Sequence, residues 1–128
     1  MTENEQNLHY VHTGDTLELC GLNVLILHAY EDWVSDVSND LANDGSMVFK
    51  ISNQAESMLF CSDVGYRVSD RIKELWGDTL ASEYIQMGHH GNGGLKQNFY
   101  AIVSPQVAFF DAAGNMLEQA CYWFVNAY

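Results

Sequence analysis

Two apolar runs separated by one amphipathic stretch constrain this chain more than any other feature. "SMLFCSD" (57–63) and "SEYIQMG" (82–88) read as strands, and "YRVSDRIKELWG" (66–77) between them reads as a helix. Val68, Ile72, Leu75 and Trp76 fall at i, i+4, i+7 and i+8, which makes a single apolar stripe. Gly77 is placed to cap the helix C-terminus. A strand–helix–strand unit of this length returns its second strand parallel to the first, with a right-handed connection. The carboxyl ends of the two strands then share one edge of the sheet, where folds of this class bind ligands. Those ends carry Asp63 and the adjacent pair His89–His90.

The remaining segments fill in the architecture. "LHYVH" (8–12) reads as a short strand and "TGD" (13–15) as a turn. Residues 16–30 read as two strands broken at Gly21, the first half-exposed because Leu17 and Leu19 alternate with Glu18. Residues 31–45, rich in Asn, Asp and Ser, predict a loop. "SMVFKIS" (46–52) alternates and pairs with 57–63 as an antiparallel hairpin. After "HHGNGG" a short helix is expected near 95–100, a strand over 106–112 and a terminal helix over 115–128. Strands first and β-α-β-α-β-α afterwards describe an α/β fold with a mixed sheet and flanking helices. The length, 128 residues, fits a single domain over 1–128.

Charge and composition remove several function classes. Five basic against seventeen acidic residues give a net charge of −12. Such a surface repels phosphate backbones and anionic lipid, so nucleic acid is not an expected partner of this chain alone. Leu19–Tyr30 and Asn98–Phe110 are the longest uncharged stretches, and both are too short to span a bilayer. The acidic start "MTENEQN" is unlike a secretion signal, which makes the cytoplasm the expected location. Cys20, Cys61 and Cys121 are odd in number and lack CxxC spacing, so they read as buried, reduced thiols.

A carboxylate and one or two imidazoles converging on one sheet edge suit zinc, manganese or iron. Gly65 and Gly91 flank them and permit close backbone approach. Singly, a histidine pair is an ordinary surface feature and an aspartate after a strand is an ordinary helix cap; their meeting is what points to metal. The other histidines carry no such pattern. His9 and His12 lie three apart, on opposite faces of a strand, and His28 sits in an apolar run as a satisfied core histidine.

The run "NDGSMVFKISNQAESMLFCSDVG…LASEYIQMGHHGNGG…NFYAIVSPQVAFFDA" resembles the C-terminal half of metallo-β-lactamase-fold hydrolases. It is most similar to the branch containing the soluble hydrolase domain of DNA-uptake competence proteins. The matching positions are Asn43 and Ser46 before a strand, Asp63 at the end of the next, Gly88-His89-His90-Gly91 one crossover later, and Pro105. Ser62 departs from the glycine usual before the aspartate, and Asn92 stands where serine is common. The resemblance implies a partial αββα sandwich. It implies that Asp63 bridges two metal ions, zinc or manganese, and that one histidine of the pair is the last ligand of the second metal. His90, directly before Gly91, is favoured for that role, with His89 the alternative.

The family's first metal motif, HxHxDH, does not occur in this sequence. Asp63, His89 and His90 therefore fall short of a two-metal ligand set. The expectation is a metal-dependent hydrolase domain present only in its C-terminal half and inactive alone. Its partner would be the missing N-terminal half, or a second copy meeting an exposed apolar face. Tyr122, Trp123, Phe124 and Tyr128 offer aromatic surface for that face. The alternatives are a metal-free interaction module and, more remotely, an enzyme of another class using Asp63 and His90 as an acid–base pair. No serine or cysteine stands in a nucleophile-elbow context.

Overall fold

The computed structural model describes residues 9–112. Six strands form one sheet in chain order: Thr16–Leu19 (β1), Leu22–His28 (β2), Val48–Ser52 (β3), Ser57–Phe60 (β4), Tyr84–Gln86 (β5) and Val107–Phe109 (β6). Pairing is antiparallel from β1 to β4 and parallel from β4 through β6. The helices are Asp32–Val37 (α1), Leu41–Asp44 (α2), Tyr66–Trp76 (α3) and Gln97–Val103 (α4). A short 3-10 turn occupies Gly77–Leu80, and Gly88–Gly91 forms a tight non-helical turn. The chain is thus α/β, with a mixed six-stranded sheet and flanking helices.

The β4–α3–β5 unit has the parallel connection that its spacing predicts, and α4 repeats it between β5 and β6. The β1–β2 hairpin turns on Cys20 and Gly21, both at positive φ (52° and 81°). That is the two-residue turn whose twist matches paired strands. Cys20 is therefore exposed, contrary to the buried thiol expected, because it occupies the hairpin tip. Cys61 is buried, and burial pushes its thiol pKa far above the ordinary range, so it stays protonated.

One face of the sheet meets the helices. Leu27, Val48, Leu59 and Ile85 pack there with Val68, Ile72, Leu80, Phe99 and Val103, all fully or almost fully buried. A bulge between Ile26 and His28 interrupts the β2–β3 ladder, and the Trp76 indole of α3 donates to the Leu27 carbonyl at 2.6 Å. Lys50 joins the helical side too, donating to Thr79 O at 3.0 Å and Ala81 O at 2.5 Å. Burial lowers its pKa, which Glu83 partly offsets.

The opposite face is apolar as well. Cross-strand register aligns Ile26, Phe49, Phe60, Gln86 and Phe109 in one row and Val24, Ile51, Met58, Tyr84 and Val107 in the next. Phe49 and Phe60 stack with ring centroids 4.7 Å apart. Val107 and Phe109 at the β6 edge are exposed.

Three expectations need correction. Residues 31–45 hold α1 and α2 rather than a plain loop. Burial of Val34 and Asp44 fixes these turns, so tertiary packing overrides a loop-like composition. Residues 9–12 are not a strand; their neighbour β1 begins only at Thr16. The strand ends are shorter than expected at β4, β5 and β6, because the chain leaves the ladder to build the rim. The terminal helix expected over 115–128, its aromatic cluster and Cys121 lie outside the described residues. Among the described residues no helix is long and apolar enough to cross a membrane.

Candidate functional site

The carboxyl ends of the parallel strands β4, β5 and β6 meet on one rim. After β4 the chain passes Cys61 and Ser62 to Asp63. The Gln86 side chain holds this exit: its Oε1 accepts from Cys61 N at 3.0 Å and Ser62 N at 2.9 Å, and its Nε2 donates to Met87 O at 2.7 Å. Ser46 Oγ accepts the Asp63 N–H at 3.2 Å and donates to Asn43 O at 2.7 Å. Ser62 Oγ donates to Met47 O at 2.6 Å. Ser46 and the Asn43 carbonyl thus brace the backbone at Asp63, while the Asn43 side chain donates to Asp40 Oδ2 at 2.8 Å. The Asp63 carboxylate itself stays half-exposed.

Beyond β5 the chain turns hard. His89 (φ 51°, ψ 45°) and His90 (φ 59°, ψ 15°) are consecutive left-handed residues, and Ser62 across the rim is a third at φ 48°. The histidine segment is therefore coiled in the left-handed sense. Each such non-glycine residue costs about 1 kcal/mol or more and persists only where its surroundings over-determine it. Here the surroundings are backbone: His89 N donates to Ser62 O at 2.9 Å, and Asn92 N to His89 O at 2.9 Å. The glycines close the loop. A Cβ on Gly94 would stand 2.3 Å from Gly88 O, so the two backbones touch where no side chain fits.

This turn aims the His90 ring along the rim. Nε2 lies 3.4 Å from Asp63 Oδ1, and Nδ1 lies 3.0 Å from Asp111 Oδ1 just after β6. The three side chains are 44–57% exposed, so a ligand has access. Nδ1 itself is shut off from solvent and makes no hydrogen bond among the described residues; the Asp111 oxygen is close but off the N–H direction. The His89 ring stands edge-on to that of His90, 6.3 Å away, and no ion pair joins it to Asp63 among the described residues. Asp63 and His90 are thus brought together, and His89 contributes mainly backbone. Asp111 and Gln86 are the residues that sequence reasoning missed. Asp111 carries the same signal as Asp63, an acidic residue just past a parallel strand.

The other histidines part company with this rim. His12 is exposed, 3.6 Å from Asp15, in a local loop contact. His28, at the end of β2, is 1% exposed and pairs through Nε2 with Asp44 O at 2.8 Å, as expected of a satisfied core histidine. Among the described residues no group of three or more His, Cys, Asp or Glu side chains is arranged to hold a metal ion. Compared with known protein families, with curated proteins and with solved structures, the chain matches none.

Proposed function

We propose that this chain carries the second half of a metal-dependent hydrolase site of the metallo-β-lactamase type, with Asp63 and His90 as ligands to zinc or manganese. The observation that carries the proposal is the 3.4 Å between Asp63 Oδ1 and His90 Nε2. A direct N–H···O bond would be about 2.7–3.2 Å long. Two donors that each bind one tetrahedral ion at about 2.1 Å stand roughly 3.4 Å apart. The pair therefore has the separation of co-ligands rather than of hydrogen-bond partners. The half-exposed apolar sheet face fits a partial αββα sandwich whose second sheet comes from elsewhere.

A bound ion would supply a hydroxide nucleophile near neutral pH and stabilise charge on an oxygen of the substrate. The residues of this chain hold one side of that ion: Ser46 and Gln86 fix the Asp63 exit, and the left-handed turn fixes His90. A catalytic zinc takes about three protein ligands and a two-metal site takes more. The remaining donors, of the HxHxDH kind, must come from a partner polypeptide or a further segment. The chain alone is accordingly inactive, and phosphodiesters are the substrate class that the resemblance favours for the completed domain.

Plasma emission spectrometry on protein stripped with chelator and reloaded tests the site. Zinc or manganese should bind weakly through the two ligands present, more tightly once an HxHxDH-bearing half is added, and be lost in Asp63→Ala, while nuclease and esterase assays stay at background without that half. A well-folded protein that takes up neither ion would defeat the proposal. It would leave a second reading, a metal-free interaction module, which the exposed Val107 and Phe109 on the apolar face favour.

A further inference from the structure

Three parallel strands end on the rim, and the third brings a residue to which the proposed function gives no role. Asp111 stands 3.0 Å from His90 Nδ1, on the side of the ring away from Asp63. In a neutral imidazole one nitrogen carries the proton and the other offers a lone pair, and the groups opposite decide which is which. The distances decide here. At 3.0 Å the Asp111 side is within N–H···O range, and at 3.4 Å the Asp63 side is beyond it. Nδ1 is closed to solvent, so water does not serve as its acceptor. The oxygen's misalignment is of the kind that tightens when a site fills. An ionised carboxylate only accepts, which puts the proton on Nδ1 and the lone pair on Nε2.

We infer that Asp111 is a positioning residue: its carboxylate accepts a hydrogen bond from His90 Nδ1–H, fixes the tautomer and turns Nε2 toward Asp63. Metal-bound imidazoles are commonly oriented by an outer carboxylate in this way. The tautomer claim stands on geometry. Its consequence for metal affinity rests on the function proposed above.

Long-range proton–nitrogen correlation NMR of the His90 ring, recorded where the imidazole is neutral, reads the tautomer directly. The native protein is expected to show Nδ1–H. Asp111→Ala should lose that preference and Asp111→Glu should restore it; both variants fold, because Asp111 is exposed. Zinc titration against a chromophoric chelator gives the second readout, with Asp111→Ala binding about 10- to 100-fold more weakly. An Nε2–H tautomer in the native protein, or no tautomer change in Asp111→Ala, overturns the inference. Native protein that binds no zinc yet switches tautomer in Asp111→Ala upholds it and instead removes the metal reading. If Asp63→Ala abolishes zinc binding while Asp111→Ala changes neither readout, the metal reading stands and Asp111 has no positioning role.

Discussion

Two histidines close two strands of the same sheet and end in opposite environments. His28 leaves β2 with its ring buried, Nε2 on the Asp44 carbonyl and the Trp33 ring 5.6 Å from its own. Asp44, 3% exposed, is occupied too: Oδ1 accepts from Gly65 N at 2.9 Å and Oδ2 from Ser38 Oγ at 2.5 Å. The Asp44 carboxylate and carbonyl and the His28 Nε2 are thereby spent on holding the α1–α2 segment against the start of α3. His90 leaves β5 half-exposed, on strained backbone, between two carboxylates that it does not properly bond. The contrast separates a histidine that finishes a core from one that is prepared for something else. Satisfaction marks structure; unspent polarity held at a conformational cost marks function.

Breaking the two corners should have opposite signs. His28→Ala leaves a buried carbonyl without its donor and a hole beside Trp33, and should cost about 3 kcal/mol in chemical denaturation. A loss below about 1 kcal/mol would mean that the corner is not the closed unit described. His90→Gly removes only exposed contacts, each worth little, and relieves a left-handed residue. It should therefore raise stability by about 1 kcal/mol, as should His89→Gly, while His90→Gly abolishes zinc binding. If His90→Gly destabilises as His28→Ala does, the ring is a packing element and the comparison fails.

How much of this contrast the sequence carries depends on the range of the interaction. Asp63 and His90 are legible because the crossover that joins them is local: one helix of known length sets both strand ends on one edge. His28 is legible as core from its apolar neighbours. The three glycines after His90 announce a turn, but not that both histidines would be left-handed; that follows from Gly94 lying on Gly88 O, a contact visible only once the loop is closed. Asp111 passes unnoticed inside "QVAFFDA", because its meaning depends on which way a ring at the neighbouring strand end is turned. The helices α1 and α2 span six and four residues, too short for a periodic stripe, so only the burial of Val34 and Asp44 reveals why they coil.

The smallest effect separates the corners by pH. Burial lowers the pKa of His28 below its ordinary value of 6.5, and outweighs the Asp44 carbonyl contact and the nearby carboxylates of Glu31 and Asp44, which raise it. The unfolded chain then binds the proton more readily than the folded one. Stability from this group is complete above about pH 6.5 and declines as pH falls below it, because ionising His28 favours unfolding. Thermal melts across that window should show the decline in the native protein. His28→Gln, which keeps an amide donor for the Asp44 carbonyl and does not titrate, should flatten the slope. The exposed histidines are common to both proteins, so their contribution cancels in the difference. If the variant keeps the native slope, the pH dependence arises elsewhere, and the buried ring is not the group that the unfolded chain protonates first.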